Sequence, residues 1–390
     1  MQDWREEKGI RFLLEFWKQM YLQEYIPSGG SKIKFLTGKY GSGKTYALQQ
    51  VLRDADELGY RTVSFSAEEV YLNDFKDIYV EIIRQTDILA TLRKCVDEVL
   101  RSIGMDPTRI PEGRTALDYY TSTGEMSVIL RGELREVVTN MFLKNRNMDH
   151  YFAQVCALIV SSMLGLFSLD EESVQLLVGW MLAKKEVRVS ALKPLGVSPA
   201  RINKMNARHM LRSLCEVVKM SGAKGLVVAV DDLDILLNRS GNGIVKYAKV
   251  KRDDTYEIIR QLIDDIDTMH NILFVFAFDR AMLEDEKAGL KSYQALWMRI
   301  QNEVLSRRFN RFADIADLDR MANSSYCDAY SDNAILKIAS GFAEQALSEG
   351  KPVAELDPEE IQMLRQQAHD GTVGLPLLVK RAVEGGDLYA

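Results

Sequence analysis

Eight consecutive residues, Gly38-Lys39-Tyr40-Gly41-Ser42-Gly43-Lys44-Thr45, constrain the fold of this chain more than any other stretch. They satisfy the pattern G-x-x-x-x-G-K-[ST], a loop that works only between a strand and a helix. The residue types follow from that task. Glycines at positions 38, 41 and 43 let the backbone curl until its N–H groups face a phosphate, and the helix that follows presents its positive end. Lys44 supplies a mobile cation for the β/γ-phosphates, and the Thr45 hydroxyl is a candidate Mg²⁺ ligand. Tyr40, Ser42 and Tyr46 complete the candidate nucleotide-binding set. Upstream, Ile33-Lys34-Phe35-Leu36 reads as a strand; downstream, Tyr46 to Leu52 has helical character with no Gly or Pro. The order strand, loop, helix is the one the chemistry requires.

A second half of such a site needs a carboxylate at the end of a buried strand, to hold Mg²⁺ through water. Gly225 to Asp234 supplies it: an apolar run bounded by Gly and closed by Asp231, Asp232 and Asp234. Asp231 is the candidate metal carboxylate. Asp232 stands where a water-orienting acid is expected, one methylene shorter than a glutamate, and Asp234 reads as an N-cap or surface acid. The alternative for the whole acidic cluster is a solvated strand end.

Between these halves, from about Phe75 to Met220, apolar residues recur at i, i+3, i+4 spacing with few strand-like runs. The expectation is a helical insertion at residues 75–221, splitting a parallel-sheet core into an N-terminal part (1–74, with an amphipathic helix ahead of the first strand) and a second part (222–319). Another apolar strand, Ile272 to Phe278, ends in Asp279-Arg280, and residues 320–390 read as three helices forming a C-terminal lid. Asp279 is either a phosphate-sensing group or a satisfied turn aspartate. The fold class is therefore α/β, of the P-loop NTPase type.

The 390 residues are 47% hydrophobic, enough to bury a sizeable core. Four scattered cysteines and four scattered histidines suggest neither a disulfide framework nor a zinc site, so a reducing, cytoplasmic setting is expected. The opening residues carry mixed charges without an apolar core, unlike a signal peptide, and the run from Cys156 to Phe167 is too short and interrupted to span a bilayer. No membrane association is expected.

A net charge of −6 argues against a protein that coats nucleic acid throughout, but residues 184–212 run against it. Lys184, Lys185, Arg188, Lys193, Arg201, Lys204, Arg208 and Arg212 face the single acid Glu186. This segment is a candidate DNA contact through phosphates, or a dock for an acidic partner or for the chain's own acidic surface. Lys246, Lys249, Lys251 and Arg252 form a smaller basic stretch. Arg307 and Arg308 stand where an arginine finger would reach a neighbouring subunit's γ-phosphate, with Arg308 the candidate catalytic residue; the alternative is an intramolecular ion pair. An ATP-dependent homo-oligomer follows if the finger acts in trans. Arg381, on the last helix, is a candidate contact to bound phosphate or a solvated cation.

With these pieces placed, the order of motifs resembles the AAA+-like branch of P-loop ATPases, and more closely the bacterial ATP-binding family associated with BREX (bacteriophage exclusion) phage-defence systems. The residues that carry the resemblance are Thr37 to Thr45, Leu177 to Leu182, Gly225 to Asp234 and Gly289 to Ile300. It implies an ATP-binding core with strand order 5-1-4-3-2, a helical insertion, a C-terminal lid, and a role with protein partners in defence against foreign DNA. Asp232 departs from the Asp-Glu pair of that family, and the Asp-Asp-Leu-Asp form is also similar to the KAP and STAND signalling ATPases. Two functions are thus open: an ATPase acting on DNA or a DNA-associated complex, and a nucleotide-gated adaptor with little turnover.

Overall fold

A computed structural model describes residues 10–125, 128–237, 245–305, 312–319 and 332–385. At its centre is a five-stranded sheet: β1 (Ser31–Gly38), β2 (Arg61–Ser66), β3 (Leu226–Asp231), β4 (Ile272–Asp279) and β5 (Ile315–Asp317). The spatial order is β2-β3-β4-β1-β5, and every pairing is parallel. This is the strand order that the resemblance implies. Parallel strands need crossovers, and here they are helices, which cover both faces.

Alternation along the strands sorts the core into two layers. Ile33, Phe35, Val63, Phe65, Val228, Val230, Phe274, Phe276 and Phe278 enter one cluster. Leu36, Val227, Ala229, Leu273, Val275 and Ala277 enter the other. Because both faces are buried, the strands read as continuous apolar runs. Lys34 breaks the rule: its side chain is fully buried on the second face.

The second face is covered by α1 (Ile10–Trp17, continued by π-helical Lys18–Tyr25), by α2 (Lys44–Glu57) and by helices from the end of the chain. On the first face lie the helices between β2 and β3: α3 (Phe75–Thr86), α4 (Ile88–Ser102), α5 (Ala116–Ser122), α6 (Val128–Val138), α7 (His150–Leu164), α8 (Glu171–Met181) and α9 (Ala207–Met220). Aspartates start many of them. Asp74, Asp87, Asp149 and Asp170 each accept a backbone N–H of the helix they precede, satisfying donors that a helix leaves unpaired. The apolar run from Cys156 lies in α7 as far as Leu164, with Cys156, Ala157, Ile159, Val160 and Leu164 buried, and ends beyond the helix in the exposed Phe167.

After β3 come α10 (Lys249–Asp265), β4, α11 (Ala281–Glu284), α12 (Gln294–Leu305) and β5. The chain closes with α13 (Asp332–Ser348), α14 (Pro358–Asp370) and α15 (Leu375–Val383). Asp357 and Glu360 form a reciprocal capping box at the start of α14. The sequence pattern expects helices from Asn333, Pro358 and Leu375 in this last part and from Tyr256 ahead of β4; the first three begin within a residue of those positions, whereas α10 starts seven residues earlier than Tyr256.

Candidate nucleotide site

The loop after β1 is held in shape by its own chemistry. Gly41 and Gly43 have φ of 77° and 92°, a region that a side chain would strain. Gly43 caps α2 without any side-chain acceptor, so the first N–H groups of that 14-residue helix point out of its positive end with no partner from the cap. Lys44 Nζ donates to the carbonyls of Gly38 and Lys39 at 2.8 and 2.9 Å, which holds the ammonium at the loop. Ser42 is buried, and its Oγ has no hydrogen-bond partner. Tyr40 and Tyr46 are exposed at the entrance.

Across the sheet, the Thr45 hydroxyl donates to Asp231 Oδ2 at 2.8 Å. The other oxygen, Oδ1, accepts the Asp232 N–H at 2.9 Å. Burial pushes the Asp231 carboxyl above the usual range and the Asp232 charge adds to it, against the Asp232 N–H, the Thr45 hydroxyl and Lys44. A cation at this point would reverse that shift. The donor set fits Mg²⁺: it offers two hard oxygens from the protein, and phosphate and water would have to supply the remaining ligands. Among the described residues no group of three or more His, Cys, Asp or Glu side chains is placed to hold a metal ion.

Asp232 is exposed and has φ of 57°, in the left-handed region. Aspartate tolerates this conformation better than longer side chains, which gives a local reason for the residue here. Its Oδ2 accepts the Ser66 hydroxyl at 2.7 Å. Ser66 ends β2, directly opposite Asp231 in register. Of the two expectations for Asp234, an N-cap or a surface acid, the surface one does not hold: the residue is half-buried, accepts the backbone N–H of Asp279 at 2.9 Å, and burial raises its carboxyl. Asp279 accepts the Ala281 N–H at 2.9 Å, the bond of a satisfied turn aspartate. It pairs with Gly38 in the sheet, so β4 ends at the loop.

Several contributors carry no motif. Asp319, buried just past β5, accepts the Lys39 N–H at 2.6 Å. Arg280 donates its own N–H to Gly38 and places its guanidinium 3.4 Å from Asp317 and 3.7 Å from Asp319. Burial raises the Asp319 carboxyl, with the Lys39 N–H and Arg280 opposing it. The loop is thus fastened at its first turn to the ends of β4 and β5.

The C-terminal helices reach the loop directly. Tyr40 pairs with Val373 as an isolated parallel bridge, and Gly374 N donates to Tyr40 O at 2.9 Å. A Cβ on Gly374 would stand 2.6 Å from the Ser42 backbone. Lys39 Nζ reaches the end of α14, donating to the carbonyls of Ala368, His369 and Gly371 at 3.0, 3.3 and 2.6 Å. Arg381 lies half-buried on α15, the helix whose first turn meets the loop. Arg307 and Arg308 lie outside the described residues. In the basic segment, Arg208 pairs with Asp265 at 2.7 Å and also bonds Gln261, Arg212 donates to Asn147, and Arg201 donates to backbone carbonyls. Lys184, Lys185, Arg188, Lys193 and Lys204 remain exposed. Part of that charge therefore serves the chain's own surface.

The family model for the BREX system ATP-binding protein BrxC/D matches residues 18–323, most of the chain and both halves of this site. The chain belongs to this family. Its place among BREX ATP-binding proteins makes ATP the ligand class and phage defence, within a multi-protein system, the setting. No match was found among curated proteins or among solved structures. Among the described residues of this BREX protein, no helix is long and apolar enough to cross a membrane.

Proposed function

We propose that the chain is a Mg²⁺-dependent ATPase of the P-loop, AAA+-like type, which turns ATP binding and hydrolysis into a conformational or assembly change on DNA or a DNA-associated complex. The observation that carries this reading is the Thr45–Asp231 contact at 2.8 Å, which joins residues 186 apart at the mouth of a glycine loop. In this reading Gly38, Tyr40, Gly41, Ser42, Gly43 and Tyr46 surround the phosphates, Lys44 neutralises them, and Arg381 approaches from the lid. Thr45 and Asp231 would hold Mg²⁺, which supplies charge neutralisation at the β/γ-phosphates when bound. Asp232 orients the attacking water and accepts its proton. Arg308 completes the site in cis or from a neighbour. The division into core halves (1–74 and 222–319), helical insertion (75–221) and lid (320–390), and a cytoplasmic setting, belong to the same proposal.

The test separates the roles. Lys44→Ala should abolish ATP binding; a variant that binds and turns over ATP like the parent sinks the reading. Asp232→Asn keeps a residue that tolerates φ of 57° while removing the base. It should retain ATP and lose turnover by a factor of about 10² or more. One specific observation favours a second reading, a nucleotide-gated adaptor: Asp232 is short and engaged by Ser66. Steady-state turnover that rises with added DNA would exclude the adaptor.

A further inference from the structure

The smaller basic stretch lies beside the candidate hydrolytic residues, and its arrangement runs against ordinary helix chemistry. Lys249, Lys251 and Arg252 occupy the first turn of the 17-residue α10, and Lys246 stands just ahead of it. That turn contains no acid, and Ala248 provides no side-chain cap. Helix N-termini favour anions and disfavour cations, so this end collects positive charge from both the backbone and the side chains. Arg252 is 8% exposed, and its Nε has no partner.

An aromatic ring lies within the same patch. Tyr71 is 41% exposed, with Lys251 Nζ at 4.4 Å and Lys246 Nζ at 4.5 Å from the ring centroid. Glu68 and Glu69 are the nearby acids; they oppose the effect of burial and of Lys251, which together lower the Lys246 ammonium below its usual value. Contacts of ammonium groups with an exposed ring are weaker than charge-assisted bonds to phosphate. A phosphodiester would therefore draw both lysines off the ring and leave its face open to a base.

The patch is wired to Asp232. Tyr247, fully buried, donates to the Ala67 or Val70 carbonyl and accepts the Leu72 N–H, fastening α10's leading segment to the turn after β2. Lys246 Nζ donates to the Glu68 carbonyl. The Glu68 N–H donates to Ser66 Oγ at 2.9 Å, and Ser66 Oγ donates to Asp232 Oδ2 at 2.7 Å.

We infer that the surface formed by Tyr71, Lys246, Lys251 and the first turn of α10 binds single-stranded nucleic acid and reports its occupancy to Asp232 through Glu68 and Ser66. A single strand fits because its bases are free to stack on a tyrosine while its phosphates meet the lysines; a duplex hides those faces. Withdrawing Lys246 from Glu68 shifts the turn that carries the Ser66–Asp232 bond. The coupling rests on the reading of Asp232 as the water-orienting acid; the binding surface does not.

The test uses the full chain and a fluorescein-labelled 30-nucleotide oligo(dT), read by anisotropy across a salt series. Lys246→Ala/Lys251→Ala should weaken binding about tenfold or more and flatten the slope of log K against log salt by about 1.4, two phosphates at about 0.7 each. Lys251→Glu, which leaves the Glu68 contact in place, should act in the same direction, and Tyr71→Ala should weaken binding about tenfold. Unchanged affinity in these variants, or loss only with Lys184→Ala/Lys185→Ala/Arg188→Ala, overturns the surface. Competition by poly-glutamate as effective as that by unlabelled oligo(dT) overturns it in favour of an acidic protein partner. For the coupling, Ser66→Ala should keep oligo(dT) affinity and lose the ratio of stimulated to basal ATP turnover; an unchanged ratio overturns it. A parent protein with no turnover under any condition overturns the coupling together with the ATPase reading, while the anisotropy result still decides the surface.

Discussion

Replacing Lys34 by methionine should remove a specific pH dependence from the stability of this protein. The Lys34 side chain is fully buried on the face of β1 that meets α1 and its π-helical continuation. Its ammonium donates to the carbonyls of Phe312 and Ala313 at 2.9 and 2.8 Å and to Asp314 at 3.1 Å, with the Tyr21 ring 4.5 Å away. Burial lowers its pKa from 10.5 to about 8; Asp314 opposes the change, Lys32 adds to it, and Glu303 opposes it. The folded state therefore releases this proton more readily than the unfolded chain. Below about pH 8 both states are charged and the penalty of burying the ammonium is present in full, about 3 kcal/mol. As pH rises from 8 towards 10.5, the folded state loses its proton first and stability increases. Integrated over the two titrations, the gain between pH 7 and pH 9.5 is about 2 kcal/mol. Urea unfolding of the parent and of Lys34→Met across that range isolates it, because every other titrating group is common to both proteins. The difference in unfolding free energy should move by about 2 kcal/mol in favour of the parent as pH rises. Parallel curves would show that the ammonium is not held in a low-dielectric site.

Two further substitutions probe how the C-terminal helices bear on the loop. Gly374→Ala is compatible with its own backbone, at φ of −74°, yet brings a Cβ to 2.6 Å from Ser42. Overpacking of this kind costs about 1–3 kcal/mol, so affinity for a fluorescent ATP analogue should fall about tenfold; unchanged affinity would mean that the contact is irrelevant to the ligand. Lys39→Met removes the donor that closes the end of α14, at a cost of about 1–2 kcal/mol. Amide exchange at the last turn of α14 should quicken, and equal protection in both proteins would refute the clamp.

How much of this was legible in the sequence depended on whether a residue's role was local. Gly38 to Thr45 could be read because a strand, a curled glycine turn and a helix must follow one another in the chain. Asp231 could be read because a strand buried on both faces is apolar to its end and then stops in carboxylates. The strand order came with the family resemblance, since periodicity carries no information on which strands are neighbours. Lys39, Asp319 and Arg280 were not legible. Lys39 occupies a position where the loop pattern accepts any residue, and its partners Ala368, His369 and Gly371 are backbone carbonyls, which leave no trace in side-chain identity. Asp319 follows a strand of only three residues, too short for its alternation to register. Ser66 offered a faint signal, a hydroxyl closing a strand, but its meaning depends on β2 lying beside β3. For Asp234 the sequence left an N-cap and a surface acid open, because a half-buried acid that accepts one backbone N–H has the same local sequence as a solvated one.

The Gly374–Tyr40 bond has a bearing on how the protein is made. The loop's own residues leave the ribosome more than three hundred residues ahead of the segment that covers them. In between, the chain must emit the helices from Phe75 to Met220 and then β3, which brings Asp231 to Thr45. Until β4 and then β5 emerge, β1 lacks both of its neighbours in the finished sheet. Closures across such separations are slow, and domains generally fold as units as they emerge. The candidate site is thus whole only after the segment around Gly374 has emerged. A nascent chain carries the full phosphate-binding motif through 186 further residues before the Asp231 carboxylate is made, and it gains the cover over Ser42 later still.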